Sequence, residues 1–172
     1  MRILKITSPD ICNGLGNRVT VWVAGCSHHC PHCQNPHTWD YNIGTDISIK
    51  ENYDKVYSVI CEQLDRNIIK GVTFSGGDPL NQSDKNLNIL YNLISNIKDK
   101  YENKDIWIYS GDIYENDMLD ETKSKILSKC DVLVDGPFIF EKRDLKLPFK
   151  GSSNQRVIDL KHSTPNNVSI LL

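Results

Sequence analysis

Four short apolar stretches of this 172-residue chain each run straight into glycine. Residues 18–24 (RVTVWVA) stop at Gly25, 71–75 (GVTFS) at Gly76-Gly77, 105–110 (DIWIYS) at Gly111 and 131–135 (DVLVD) at Gly136. In the first, Val19, Val21 and Val23 share one face and Thr20, Trp22 and Ala24 the other, which is the period of a strand. Patterns of helical period lie between them. The first carries Tyr53, Val56, Tyr57, Ile60, Cys61 and Leu64, and the second, over 83–100, carries Leu87, Leu90, Ile94 and Ile97. A weaker one over 115–129 holds Met118, Leu119, Ile126 and Leu127. Ser48 followed by Glu51 predicts a capping box at the first helix. Strand, loop, helix, repeated about four times, predicts an α/β fold of parallel strands with helices outside. A complete eight-unit barrel takes about 250 residues. The expectation is therefore a partial (β/α) barrel of parallel strands with outer helices, one domain over residues 1–172. Chemistry in such folds sits at the carboxyl ends of the strands, where the glycines fall.

The flanks are plainer. Residues 2–7 alternate as a short strand, 10–17 form a turn-rich approach, 138–153 read as loop and 156–160 as a last strand. Past Lys161 the pattern places nothing. With 39% hydrophobic and 24% charged residues and a formal charge of −2, the chain has no basic footprint for nucleic acid. No apolar run reaches membrane-spanning length, and residues 1–5 (MRILK) lack a signal-peptide core. Free cysteines without an export signal predict a cytoplasmic protein.

Three of the six cysteines fall within eight residues, as Cys26-x3-Cys30-x2-Cys33. Such crowding points to metal rather than disulfides. Pro31 lacks a backbone N–H and keeps Cys30 out of helical dihedrals, so the segment is a loop wrapped around something. A closed zinc site wants four ligands, usually from two separated knuckles, and only one knuckle is present. Cys12, Cys61 and Cys130 are isolated in apolar settings, and Cys61 belongs to a helical stripe. An iron–sulfur cube has four metal corners, so three thiolates leave one iron open. The competing reading is a Cys3His zinc site drawing on His28, His29, His32 or His37.

The string from Trp22 to Trp39 (WVAGCSHHCPHCQNPHTW) carries the cluster signature of the radical S-adenosylmethionine enzymes. With Ser75–Leu80 (SGGDPL), Asp131–Phe138 (DVLVDGPF) and Lys150–Arg156 (KGSSNQR), it resembles the anaerobic ribonucleotide reductase activating family from about Asp10 to Asp159. The resemblance implies a partial barrel and a [4Fe–4S] cluster on Cys26, Cys30 and Cys33, the catalytic centre. It implies S-adenosylmethionine on the open iron, cleaved reductively to a 5′-deoxyadenosyl radical. Gly76, Gly77 and Asp78 would face the methionine end, with Asp78 balancing its positive charge. His32, Cys33 and Gln34 would lie beside the adenine, although the family tends to carry glycine where His32 stands. Asp135 aligns with carboxylates that hold a cation or the ribose. The implied target is a glycine Cα on a loop of the anaerobic ribonucleoside-triphosphate reductase, its glycyl radical subunit, with an electron donor such as flavodoxin.

Plainer readings stand beside these. Gly76-Gly77-Asp78-Pro79 is ordinary turn chemistry, and Asp135 fits a turn or N-cap aspartate. Trp22, Trp39 and Trp107 suit packing, and His28 and His29 suit shielding of the cluster. The Gly151–Gln155 block matches the family without a physical role legible in its residues. The rival functions are activation of another glycyl radical enzyme (pyruvate formate-lyase type) and a noncatalytic zinc-binding interaction module.

Overall fold

The computed structural model describes residues 1–172. Its strands are β1 (Arg2–Asp10), β2 (Asn17–Val23), β3 (Thr45–Asp46), β4 (Ile69–Gly76), β5 (Asp105–Tyr109), β6 (Val132–Asp135) and β7 (Arg156–Asp159). Its helices are α1 (Lys50–Leu64), α2 (Asp84–Lys100), α3 (Tyr114–Asp117) and α4 (Glu121–Leu127). The strands form one sheet in the order β3-β1-β2-β4-β5-β6-β7, and the two end strands do not pair with each other. The central pairs β2–β4, β4–β5 and β5–β6 are parallel, as the alternation predicts. The edges are not: β1 runs antiparallel to β2 and to β3, and β7 antiparallel to β6. A parallel return needs a crossover of a dozen or more residues, usually helical. Residues 136–155 contain only a 3-10 turn at Phe140–Lys142, so β7 comes back beside β6 antiparallel.

Period-two alternation sorts the sheet's faces. Val19, Val21, Val23, Val72, Phe74, Ile106, Ile108, Leu133 and Ile158 face the helices in the main core, with Ile60 and Leu64 of α1 and Leu87, Leu90, Leu93, Ile94 and Ile97 of α2. On the opposite face Trp107, Val132, Val134 and Val157 form a smaller cluster with Tyr109 and Phe149. Arg18 closes the amino end of that face. Fully buried, it pairs with Asp105 at 2.7 Å, donates to Thr73 Oγ1 at 2.6 Å and lies 5.1 Å from the Trp107 ring.

Two local expectations change. Ser48 forms no capping box: α1 begins two residues later, and the Ser48 amide donates to Asp46 Oδ1 at 2.9 Å. The weak helix over 115–129 is two helices, because Asp120 caps α4 by accepting the Lys123 N–H. The unplaced tail lies along β7, with Asp159 N–H donating to Ser169 O and Leu171 N–H to Val157 O.

Candidate functional site

β2 feeds Ala24 and Gly25 into the cysteine loop. Gly25 has φ +101°, and the Tyr41 ring stands 2.1 Å from where a Cβ would be, so only glycine fits. Its amide donates to Thr38 O and that of Cys26 to Trp39 O, which ties the loop's start to the turn after it. His29 and His32 take left-handed dihedrals (φ 46° and 58°), and the Cys33 amide returns to Cys30 O at 3.0 Å. The chain thus winds tightly, and Cys26, Cys30 and Cys33, all free thiols, line one cavity of about 440 Å³. Burial pushes the Cys26 thiol up to about 11, so it needs a metal to become a thiolate near neutrality.

The glycine turn after β4 forms the facing wall. Gly77 N–H donates to Val23 O and Asp78 N–H to Gly25 O, both at 2.8 Å. A Cβ on Gly77 would stand 2.4 Å from Gly25 O, and one on Gly76 2.6 Å from Val23 O. The glycines are therefore required by the approach of one turn to the other, whatever else binds there. Asp78 is 2% exposed. Its Oδ1 accepts the amides of Leu80 and Asn81, and its Oδ2 accepts Gly111 N–H at 2.7 Å and meets His28 Nε2 at 3.0 Å. That hydrogen bond is the main reason the His28 imidazole titrates above its ordinary value. Asp78 is thus a turn aspartate and a cavity wall at once, joining the carboxyl ends of β2, β4 and β5. Three thiols on one loop, opposite a wall of backbone and glycine, fit a cluster with one corner left for another ligand.

A protein-family model described as a 4Fe-4S single cluster domain matches residues 12–158. A Salmonella typhi protein is 38% identical over 162 residues, 94% of this chain and 100% of its own length. One from Escherichia coli K12 is 36% identical, covering 88% and 94%, and one from phage T4 is 34% identical, covering 89% and 90%. All three are named anaerobic ribonucleoside-triphosphate reductase-activating protein. This chain belongs to that family. The cluster-domain model and the donor set agree on an iron–sulfur cluster as cofactor.

The residues that the activating-protein resemblance singles out divide in space. Cys26, Cys30, Cys33, Gln34, Gly76, Gly77 and Asp78 all line the cavity. His32 does not: it is exposed, with its ring 4.2 Å from that of Phe140. Asp135 does not either. It is fully buried, its carboxylate held by Arg156 and by the Tyr114 N–H at the start of α3, outside the cavity lining.

Cys12 corrects its apolar setting. Residues 11–16 fold across the sheet's inner face, where Thr73 Oγ1 donates to Asn13 O at 2.7 Å, and exposed Cys12 joins the cavity lining. Trp107 and Cys61 are buried as expected, Trp39 packs 4.7 Å from the His29 ring, and Trp22 lines the cavity.

The Gly151–Gln155 block acquires a role. Gln155 Oε1 accepts the amides of Gly151 and Ser152, while its Nε2 donates to Gly136 O at 2.9 Å. Asn154 Nδ2 donates to Pro137 O at 2.8 Å. The block clamps the turn after β6, so that Gly136, Phe138, Gly151 and Gln155 all line the cavity.

Proposed function

We propose that the chain is a radical S-adenosylmethionine activase, an oxidoreductase that installs a glycyl radical on the anaerobic ribonucleoside-triphosphate reductase. The observation that carries this reading is the single cavity shared by Cys26, Cys30 and Cys33 with Gly76, Gly77 and Asp78. Cys26, Cys30 and Cys33 would hold a [4Fe–4S] cluster. When bound, that cluster in reduced form supplies the electron that divides S-adenosylmethionine into methionine and a 5′-deoxyadenosyl radical.

The chain's own part is placement and shelter. Gly76 and Gly77 present backbone without side chains, so a methionine moiety can lie close to the wall. Asp78 keeps that wall and the cysteine loop in register through Gly111 and His28. The backbone around Cys33 and Gln34 borders the space left for the adenine. A carbon radical takes the nearest hydrogen, so the partner's glycine Cα must be brought to this cavity. The end strands β3 and β7 do not close on each other, which supports a partial barrel open to a partner's loop. The chain acts as one domain, residues 1–172, in the cytoplasm, with flavodoxin or a similar protein as reductant. No helix is long and apolar enough to cross a membrane.

The test mixes the reduced, cluster-loaded protein with S-adenosylmethionine and the reductase, then reads EPR. A glycyl radical on the reductase is expected. Release of 5′-deoxyadenosine without that signal assigns the chain to another target, and a chain that takes up no iron or sulfide after its zinc has been removed by chelation overturns the reading.

A further inference from the structure

Cys26 belongs to a second set of donors besides its two loop partners. Its Sγ, an imidazole nitrogen of His28 and a carboxylate oxygen of Asp78 all lie within 4.8 Å of one another. We propose that Cys26, His28 and Asp78 form a mononuclear site for a divalent ion of the zinc class, mutually exclusive with the iron–sulfur cluster because both use Cys26.

Donor chemistry and geometry carry the proposal. Zinc takes sulfur, imidazole and carboxylate together, and an open site offers three protein ligands and one free position. Metal–ligand bonds of about 2.0–2.3 Å place the donor atoms of a tetrahedron roughly 3.3–3.6 Å apart. His28 Nε2 and Asp78 Oδ2 already stand 3.0 Å apart. That pair opens by a few tenths of an ångström, and the widest separation in the set, at most 4.8 Å, closes by about 1.5 Å or less.

The donors are also held in orientation from behind, as ligating groups usually are. Asp78 Oδ1 accepts the amides of Leu80 and Asn81, and Gly111 N–H braces Oδ2. The His28 ring lies over Gly111, where a Cβ would come within 2.5 Å of its Cδ2. The ion replaces the His28–Asp78 hydrogen bond: the proton on His28 Nε2 and the Cys26 thiol proton both leave to solvent as the metal–nitrogen and metal–sulfur bonds form, and the neutral imidazole keeps its proton on Nδ1.

This differs from a Cys3His site, since it uses neither Cys30 nor Cys33 and draws its third ligand from the turn after β4. Mixed nitrogen, oxygen and sulfur sites hold Zn²⁺ more tightly than Fe²⁺. A zinc-loaded chain would therefore resist cluster assembly, and free zinc would act as an off-switch on activation. Only that exclusion rests on Cys26 being a cluster ligand; the mononuclear site does not.

The test titrates the full-length, cluster-free chain with Co²⁺ under anaerobic conditions, then displaces the Co²⁺ with Zn²⁺. One equivalent is expected to bind, giving tetrahedral visible bands and the charge-transfer intensity of a single thiolate. A Cys30→Ser/Cys33→Ser double variant should keep both, and His28→Ala should weaken binding about tenfold or more. Absence of stoichiometric binding, three-thiolate intensity, or loss of the spectrum in the double variant overturns the site. The double variant decides this whether or not His28→Ala folds. In a second arm, wild-type protein preloaded with Zn²⁺ should take up iron and sulfide at least tenfold more slowly than unloaded protein. Undiminished uptake by protein carrying that one-thiolate ion overturns the exclusion.

Discussion

Arg156 turns its guanidinium onto Asp135, with Nε 3.0 Å from Oδ1, and thereby bolts the antiparallel strand β7 to the end of β6. The same guanidinium reaches Glu115 of α3 with two contacts of 2.7 and 3.0 Å. Since Asp135 is fully buried, removing the arginine strands a charge. Arg156→Met should lower unfolding free energy by about 3 kcal/mol in urea titration. An unchanged midpoint would show that the pair holds nothing together.

The acid limb of stability should carry Glu115's mark. Arg156 holds its carboxyl down at about 2, below the ordinary value of 4.5. A depressed folded pKa gives stability that is complete above the unfolded value and lost as pH falls towards the folded one. Melting temperature should therefore drop between about pH 5 and pH 2. Glu115→Gln should flatten that part of the profile and leave the neutral plateau little changed in shape, as read by thermal scans across pH.

Serine at Cys26, Cys30 or Cys33 should abolish iron and sulfide loading and the brown absorbance. Cys12 shares the cavity wall, yet it stands on a separate loop. Cys12→Ser should load iron and sulfide fully; a loss there would make it a ligand and close the cluster's open corner.

Gly77→Ala drives a methyl to 2.4 Å from Gly25 O, at the join between the two site loops. It should cost about 1–3 kcal/mol by overpacking and sharply reduce cluster loading. Gly136 offers the contrast, since at φ +95° its Cβ would meet nothing closer than 3.7 Å. Gly136→Ala should show only the backbone penalty of about 1 kcal/mol and retain the cluster. Equal losses in the two variants would refute the packing account.

Leu145 stands 78% exposed on the cavity's lining, an apolar side chain with no partner inside the chain to explain it. Under the activase reading it meets the reductase. Leu145→Asp should raise the KM for the reductase roughly tenfold, the worth of one buried leucine, while sparing kcat.

Much of this was legible because local pattern and global fold agree where strands end in glycine. β2, β4, β5 and β6 announce themselves by alternation and a hard stop, and the cysteine spacing marks its own loop. What was not legible depended mostly on distant partners. Asp135 reads as a free strand-end carboxylate until Arg156, 21 residues on, is seen to occupy it. Cys12 sits in a turn whose direction over the sheet is set by Thr73 and Arg18, side chains on two other strands. Ser48 caps nothing because its amide is drawn into a turn by Asp46 and α1 starts only after Ile49, without a side-chain cap, a local competition that composition does not decide.

The adjacency of β2 and β4 also bears on biogenesis. Val23 lies in register with Gly76, more than fifty residues later, and the wall opposite the thiols exists only once that parallel pair has zipped. Iron delivered to a nascent chain would therefore meet an unsupported cysteine trio until nearly half of the polypeptide had left the ribosome. Maturation is expected to wait at least until that point in translation.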